Sequence, residues 1–312
     1  MLQLRNHTPY VARLLVLPDA DGIESAVVVV QGTFRLSAGE GDRLSDTQAP
    51  LIEADAYVGE PGASPLREAS DLTLAKPGTD VLLDGAAHAP HGCVAATFCA
   101  SFAVGPLHKT VRVLGSRQWQ RTWVGMRTTD PVPVLSVPLS WAEALAHDPI
   151  LPGRNAQLPR LEHPERPVLR QRRRPPPWGG CGPIPPAWSP RREHAGTYDQ
   201  TWQRERAPFL PLDFSPHFLH VAPPDQVTST PLCGGERIAL VNCRASGDLQ
   251  TTVPRCALMV TCRVSGSEQR PPLHLDTVRL LPDADEIRLV WRAVLPLGRR
   301  VLELQQVEVT HG

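Results

Sequence analysis

Proline content is the feature that most constrains the fold of this chain. Its 312 residues include 34 prolines, and 17 of these lie in residues 151–232. Because proline lacks a backbone N–H donor, it is excluded from helix interiors and from central strands. We therefore expect a long irregular segment in the middle of the chain, with regular structure on either side of it.

The sequence on both sides of that segment predicts β-strands and little helix. Residues 26–34, AVVVVQGTF, are rich in β-branched side chains, which favour strands. The single helix candidate, LSWAEALAHD, begins near Ser140 and has Glu143 at the spacing of a capping box. PDAD predicts a hairpin turn between the last two of four further strand candidates. Those candidates are residues 237–244, 256–264, 274–281 and 286–295.

These patterns predict a mainly β fold. We expect a β-sandwich-like body made from the strands of residues 1–150 and 233–312, with little helix. Residues 151–232, here called the arm, are expected to be long, proline-rich and irregular, and to be anchored by aromatic side chains. Because both terminal β regions contribute to one body, we expect the three regions to form one structural unit.

The arm divides into two parts of different character. Residues 160–177 are charged and proline-rich and include the basic cluster RQRRR, which predicts a mobile tether. The following residues, 178–226, contain seven large rings, each able to bury about 150–250 Å². This apolar area predicts an ordered coil lying across the β body. The rings belong to Trp178, Trp188, Tyr198, Trp202, Phe209, Phe214 and Phe218.

Composition argues against several classes of protein. Lys plus Arg equals Asp plus Glu, at 32 each, so no net charge attracts the chain to nucleic acid or to a membrane. No apolar run reaches the roughly 20 residues of a membrane helix, and the N-terminal sequence does not resemble a signal peptide. The seven cysteines form no CxxC pair, which argues against a zinc site or a disulfide scaffold. We expect free, mostly buried thiols and a cytoplasmic protein.

Motifs of catalysis are scarce. The sequence contains no GxSxG, no phosphate-binding GxxxxGK[ST] and no GxGxxG that opens a helix. Two clusters have metal-ligating residue types, but both lie in loops, where spacing alone fixes no geometry. They are Asp213, His217, His220 and Asp225, and, earlier in the chain, His88, His91 and Cys93.

We therefore predict no catalytic residue, no cofactor and no metal ligand. Two alternatives remain open. One is a hydrolase or metal-dependent enzyme that uses the His- and Asp-rich residues 194–225. The other is a carbohydrate-binding β-sandwich module.

Two short stretches carry local turn chemistry. In KPGTD, Pro77 and Gly78 predict a type II turn in which the glycine supplies a positive φ, and Lys76 and Asp80 can pair across it. In the arm, GTYDQTW predicts that Asp199 accepts hydrogen bonds from neighbouring backbone N–H groups. We expect Tyr198 and Trp202 to anchor the chain beside it.

Short motifs along nearly the whole chain occur in the same order as in one known family. The N-terminal ones are Asn6-His7-Thr8-Pro9, Gly32-Thr33-Phe34, Gln48-x-Pro50, Asp55, Gly59-Glu60-Pro61, Asp71, Lys76-Pro77-Gly78-Thr79-Asp80-Val81, Gly85-x-Ala87-His88-Ala89-Pro90, Lys109 and Val113-x-Gly115-x-Arg117-x-Trp119. The later ones are Gly182-Pro183-Ile184, Trp188-x-Pro190-Arg191, Gly196-Thr197-Tyr198-Asp199 with Trp202, Pro208-x2-Pro211-x-Asp213-Phe214, Ala222-Pro223-x-Asp225-Gln226, Gly234-Gly235-Glu236 and Trp291-Arg292. The match is poorest at residues 140–174, where the family has a glycine-rich stretch and an Asn-Pro-x-Gly-type turn.

With these motifs the chain resembles the effector adaptor, or chaperone, family of bacterial type VI secretion, long classed as a domain of unknown function. The resemblance implies a non-catalytic cytoplasmic protein that binds a secreted toxin effector, often one with a PAAR domain, and helps load it onto the VgrG spike. Trp, Tyr and Arg are enriched at binding hot spots. The arm residues expected to bind the partner or to anchor the arm are Trp188, Arg191, Tyr198, Asp199, Trp202, Asp213 and Phe214.

Overall fold

The computed structural model describes residues 3–39, 43–144, 158–165, 167 and 179–312. These parts of the chain are mainly β with little helix, as predicted. The two α-helices among them are α1 (Trp141–Ala144) and α2 (Gln200–Glu205). The strands are β1 (Gln3–Asn6), β2 (Val11–Pro18), β3 (Glu24–Arg35), β4 (Ala56–Tyr57), β5 (Leu66–Glu68), β6 (Asp80–Leu83), β7 (Ala86–His88), β8 (Thr97–Val104), β9 (Leu107–Leu114), β10 (Trp119–Thr122), β11 (Gly125–Thr128), β12 (Ser136–Pro138), β13 (Leu161–Glu162), β14 (Arg237–Val241), β15 (Leu249–Thr252), β16 (Leu258–Val264), β17 (Ser267–Gln269), β18 (Leu273–Leu281), β19 (Glu286–Pro296) and β20 (Leu304–His311).

Three larger sheets combine strands from both ends of the sequence. The first has the order β2-β3-β19-β18-β6, the second β13-β9-β8-β14-β15, and the third β1-β20-β16-β17. Pairing is antiparallel except for β6 with β18 and β1 with β20. Strands β4 and β5, β7 and β12, and β10 and β11 form three small two-stranded sheets. The prediction of a body built from both terminal regions is confirmed.

Strand β3 is an interior strand of the first sheet, between β2 and β19, and its sequence fits this position. All of its residues except the first and last are buried. Val28 and Val30 join the main core, while Val27 and Val29 pack on the opposite face of the sheet. A strand that is covered on both faces requires a continuous apolar run rather than an alternating one. The four consecutive valines supply that run.

One apolar core joins the three larger sheets. It includes Val30 of the first sheet, Phe102 of the second and Val307 of the third, together with many neighbours. Burial of such side chains from facing sheets is the packing of a β-sandwich. The predicted hairpin between β18 and β19 is present, and Asp285 adopts a left-handed conformation at its turn.

Residues 160–177 differ in part from the expected mobile tether. Leu161 and Glu162 form β13, which pairs with β9, and both residues are buried. Glu162 accepts a hydrogen bond of 2.7 Å from the buried Arg117 guanidinium. This internal partner explains how a charged residue is ordered here. The basic cluster and Trp178 lie outside the described residues, as does the predicted helix beyond Ala144.

The prediction of a type II turn with a positive φ at Gly78 is wrong. The φ of this glycine does not lie in the left-handed region. A Cβ atom at this position would stand 1.9 Å from the backbone oxygen of Thr228. Glycine is required because the backbone of the arm approaches it closely.

The cysteines are free, but they are not mostly buried. Cys93, Cys99 and Cys233 are exposed, whereas Cys181, Cys243 and Cys262 are buried and Cys256 is intermediate. Burial raises the pKa of the Cys243 thiol to about 12. In the described parts of the chain, no helix combines the length and the apolar character needed to cross a membrane.

Candidate functional site: the arm and the clamp beneath it

Asp80 joins the arm to the first sheet. Asp80 is the first residue of β6, and its carboxylate is fully buried. Oδ2 accepts hydrogen bonds of 2.8 Å from Lys76 Nζ and 2.9 Å from the backbone N–H of Val221. Oδ1 lies 2.7 Å from His220 Nδ1. The predicted pairing of Lys76 with Asp80 is confirmed, and the two contacts to the arm are new.

The electrostatics of this group favour an ionised carboxylate. Burial alone would raise the pKa of Asp80, but the Lys76 ammonium and the hydrogen bond from His220 hold it well below its usual value. Lys76 Nζ also donates to Thr277 Oγ1 at 2.8 Å. The buried anion and cation are therefore both paired and hydrogen-bonded, as a charge in a protein interior requires.

Lys109 provides a second attachment, this time from the second sheet. Lys109 is a residue of β9, and its Nζ donates to Gly180 O at 2.9 Å, Asp225 Oδ1 at 3.0 Å and Gln226 Oε1 at 2.8 Å. The buried Gln226 amide then donates to Val81 O at 2.7 Å and Cys181 O at 3.0 Å. Here the term clamp denotes Lys76, Asp80, Lys109 and Gln226. The clamp satisfies backbone groups of an irregular segment that cannot pair them internally.

Trp141 of α1 holds the start of the described arm. Its indole Nε1 donates to Gly182 O at 2.8 Å, and the ring is buried. A Cβ atom on Gly180 would lie 2.7 Å from this ring. The glycine therefore permits a close approach that a larger residue would block.

Arg191 ties two parts of the arm together. Its Nε donates to Phe218 O at 2.9 Å and its Nη1 to Ile184 O at 3.0 Å. The guanidinium also lies over the Phe218 ring, 5.0 Å from its centroid. In the described parts of the chain Arg191 forms no salt bridge.

The outer part of the arm is built around α2. Asp199 caps the helix by accepting a hydrogen bond of 2.8 Å from the backbone N–H of Trp202, as predicted. The Tyr198 and Trp202 rings meet edge to face at 4.7 Å, and Trp202 Nε1 donates to Phe209 O at 2.8 Å. These contacts give the exposed end of the arm a defined conformation.

Asp213 has a similar local role. Its carboxylate accepts hydrogen bonds from the Thr197 backbone N–H at 2.9 Å and the Thr197 hydroxyl at 2.7 Å. These bonds lower the pKa of Asp213. Phe214 packs edge to face on Phe218, with ring centroids 5.8 Å apart.

Arg206 attaches the outer arm to the turn between β2 and β3. Its Nη2 donates to Ala20 O and to Asp21 Oδ1, both at 2.8 Å. The Phe209 ring covers Gly22, where a Cβ atom would stand 2.1 Å from a ring carbon. Gly22 also has a φ of 77°, so two constraints favour glycine there.

Rings and polar groups both hold the arm on the body, although no described ring of the arm is deeply buried. None of the six arm rings in the described residues is fully buried. Tyr198 and Phe209 are 53% and 45% exposed, although Trp188 packs against the core and donates to Gly62 O at 3.1 Å. The clamp and the buried apolar residues Ile184 and Val221 add anchors that sequence reasoning did not indicate. The sequence signal that could have indicated this is a lysine in register with the apolar face of an alternating strand, as Lys109 is with Val111 and Val113.

A cavity of about 280 Å³ lies beside the clamp and is lined by arm residues between Ile184 and Ser229. Arg191, His194, His217 and His220 contribute to its walls. The three imidazoles form a row, with ring centroids 5.6 Å apart for His194 and His217 and 5.8 Å apart for His217 and His220. His220 Nε2 is buried and has no hydrogen-bond partner in the described parts of the chain.

The His- and Asp-rich segment does not assemble as a metal site in the described residues. No group of three or more potential ligands among them is arranged to hold a metal ion. Asp213 is occupied by Thr197, and Asp225 by Lys109. In the earlier cluster, His88 Nε2 lies 3.2 Å from Asp283 Oδ1.

Among the described residues, no hydroxyl makes the nucleophile contact that would turn the His220–Asp80 pair into a hydrolytic triad. In such a triad a hydroxyl donates to the outer imidazole nitrogen. The nearby Thr228 hydroxyl instead donates to Thr230 O at 2.7 Å and accepts from the backbone N–H of Thr79 at 2.9 Å. The arrangement can orient a ring nitrogen toward a ligand.

Among the described residues, two exposed apolar surfaces are noteworthy because each includes an exposed aromatic ring. The first is in the outer arm, where Leu212 is 86% exposed and follows the exposed rings of Tyr198 and Phe209. The second is the hairpin of β10 and β11, whose turn holds Trp123, 97% exposed, and Val124. Sequence reasoning missed Trp123, although a tryptophan and a valine in a two-residue hairpin turn, where Gly, Asn or Asp is usual, are a readable signal.

Comparisons with known proteins place the chain in one family. A family model described as an uncharacterized protein conserved in bacteria, DUF2169, matches residues 21–147 and 146–292. No curated protein and no solved structure matches the chain. The matched ranges include the clamp and the outer arm.

Proposed function

We propose, from the premise that this chain belongs to the bacterial protein family DUF2169, that it is an effector adaptor, or chaperone, of type VI secretion. In this role it binds a toxin effector in the cytoplasm, one with a PAAR domain being the expected kind, and helps load it onto the VgrG spike. It acts by binding and carries out no reaction on its partner.

The observation that carries the proposal is the fixed, outward-facing surface of residues 198–212. The Trp202 ring contacts that of Tyr198 and donates to the backbone oxygen of Phe209, and Leu212 is almost fully exposed. Asp199 and Arg206 hold this surface in place through hydrogen bonds. Binding to a preorganised surface loses less conformational entropy than binding to a mobile one, so an irregular arm becomes useful for recognition once it is anchored.

The family motifs support the same role. Lys76, Asp80, Lys109 and Gln226 belong to the stretches that carry the resemblance to secretion adaptors, and they form the clamp. The motif Gly196-Thr197-Tyr198-Asp199 lies in the outer arm and sets its local conformation. The motifs that carry the resemblance therefore contain the residues that hold the arm on the body.

Capture of an effector tests the proposal. The tagged chain is co-expressed with a toxin-domain protein encoded beside its gene, and the complex is isolated and its dissociation constant measured. We expect Leu212→Asp to weaken binding by about 10-fold or more, because it places a charge within an apolar contact. The melting temperature should stay close to that of the wild type, since Leu212 is exposed.

Leu302→Asp is the matched control. Leu302 is 93% exposed and lies outside the arm, between β19 and β20. It should leave capture unchanged. Failure of the wild-type chain to bind any toxin-domain neighbour, or equal loss of binding in both variants, would contradict the proposal.

A further inference from the structure

The cavity beside the clamp combines apolar walls with a guanidinium and an unpaired imidazole nitrogen. Ile184, Ala222 and Val227 supply apolar surface. Of the described residues that line it, none is an aspartate or a glutamate, whereas one is an arginine and three are histidines. Its volume of about 280 Å³ is at the small end for ligand sites, so it suits a group about the size of one amino-acid residue.

His220 presents one nitrogen that the fold leaves unused. The residue is 7% exposed. Because the ionised Asp80 can only accept hydrogen bonds, His220 Nδ1 carries the proton shared between them. Nε2, at the other side of the ring, is buried without a partner in the described parts of the chain, and the ring lines the cavity. A buried polar atom in this state is stabilised by any ligand that completes its hydrogen bonding.

Arg191 presents a positive charge that the fold leaves uncompensated. A guanidinium has five N–H donors. Backbone oxygens of Ile184 and Phe218 are the partners that the structure shows for its Nη1 and Nε, so Nη2 is available. Burial lowers the pKa of Arg191, while the more distant carboxylates of Asp55 and Asp80 oppose this effect. Both oxygens of Asp80 are already occupied.

We propose that this cavity binds a carboxylate carried on a short apolar stem. The carboxylate contacts the Arg191 guanidinium, and binding takes up one proton from solvent, which lies between the second carboxylate oxygen and His220 Nε2. The stem packs on Ile184, Ala222 and Val227. A carboxylate matches a guanidinium in shape and charge. The apolar walls favour it over inorganic phosphate, which has no apolar part. This site does not depend on the adaptor function.

Two sources can supply this chemistry: the C-terminal residue of a polypeptide and a free organic acid. N-acetyl-leucine represents the first and 4-methylpentanoate the second. N-acetyl-leucinamide has the same stem as N-acetyl-leucine but no charge. Titration of each, and of inorganic phosphate, into the full-length protein by calorimetry gives the affinities. Histidine ring resonances in NMR spectra show where each probe binds.

We expect both acids to bind and to shift the His220 ring resonances, and the neutral amide to bind at least about 10-fold more weakly, since it loses the charge-assisted contacts. Tighter binding of N-acetyl-leucine identifies a chain end as the natural group, and tighter binding of 4-methylpentanoate identifies a free acid. Equal binding of the acid and its amide, unshifted His220 resonances, or binding of phosphate alone overturns the proposal.

Variants locate the contacts. His220→Asn retains a donor toward Asp80 but lacks Nε2, and we expect it to reduce affinity for the acids by about 10-fold. Arg191→Gln should do the same, while Arg192→Gln, an exposed neighbour outside the cavity lining, should have no effect. If Arg191→Gln does not fold, His220→Asn and the wild-type resonances decide the question. Unchanged affinity in a folded His220→Asn protein contradicts the proposed contact.

Discussion

Asp80 is the residue on which the position of the arm most depends. One buried carboxylate accepts hydrogen bonds from Lys76 next to its own strand and from His220 and Val221 of the arm. Removal of its charge therefore affects the body and the arm together.

Asp80→Asn should destabilise the protein by about 3–5 kcal/mol at pH 7, because it leaves the Lys76 ammonium buried without its counter-ion. Urea unfolding followed by circular dichroism measures the change. Asp46→Asn is the control, since Asp46 pairs with Arg35 at the surface and its side chain is 85% exposed. Such a pair contributes about 1 kcal/mol or less. Equal losses in the two variants would show that Asp80 has no special structural role.

The same carboxylate has a defined pH dependence. Its folded pKa lies below the unfolded value of 3.8, so the unfolded chain takes up the proton first as the pH falls. The stabilisation is complete above that value and declines as the pH falls below it towards the folded pKa. In an NMR titration, the Asp80 carboxyl carbon should keep the shift of the ionised form at pH 3.8. Half-protonation there would contradict the assignment.

Sequence proximity decided which of these contacts could be predicted. Lys76 and Asp80 are four residues apart, so their pairing was readable from the sequence. His220 and Thr228 approach the same turn from far along the chain, and no local pattern indicates such a contact. Gly78 illustrates the difference, because its position in a turn suggested a positive φ whereas its actual constraint is the distant Thr228 carbonyl.

At the scale of secondary-structure elements, the arm behaves as a coil whose order is supplied by the sheets beneath it. Lys109 of β9 and the edge strand β6 hold its inner part, and Arg206 holds its outer part on the turn between β2 and β3. A segment with few internal hydrogen bonds opens locally when such contacts are lost.

Lys109→Met should release the inner arm while the sheets stay folded. The change leaves buried acceptors on Gly180 and Gln226 unpaired, which costs about 1–3 kcal/mol. Limited proteolysis followed by mass spectrometry should show cleavage within residues 179–232 about 10-fold faster. Arg263→Met, which removes a surface charge from β16, should not change the rate. An unchanged cleavage pattern in Lys109→Met would argue against the clamp.

Elements with a strong local pattern were predicted well, and those that depend on distant partners were not. The hairpin of β18 and β19 follows from its strand composition and its PDAD turn. Strand β13 is only two residues long and lies in a proline-rich context. It forms because it pairs with β9 and because the Arg117 guanidinium donates a hydrogen bond to Glu162. For the arm, the aromatic content suggested order correctly but did not indicate the polar anchors, because polar anchoring depends on which strands face the coil.

At the scale of the whole molecule, the terminal β regions complete each other. In the first sheet β3 pairs along its whole length with β19, and in the second β8 pairs with β14. Neither region contains all the neighbours of its own strands.

Residues 1–150 produced alone should therefore fail to fold cooperatively, because β3 loses β19 and β8 loses β14. Thermal circular dichroism and the amide region of a proton–nitrogen NMR spectrum test this against the full chain. We expect no sharp transition and little chemical-shift dispersion from the fragment. A cooperative melt with dispersed signals would show that the N-terminal region is an independent domain.

The pairing of β3 with β19 also has a consequence for biosynthesis. A ribosome translates β3 early, yet the strand that covers one of its edges does not exist until residues 286–296 have been made. During most of translation, the valine-rich nascent strand has an open edge of the kind that promotes aggregation. Cellular factors that shield nascent chains should therefore influence the yield of this protein more strongly than that of a protein whose neighbouring strands follow each other in translation.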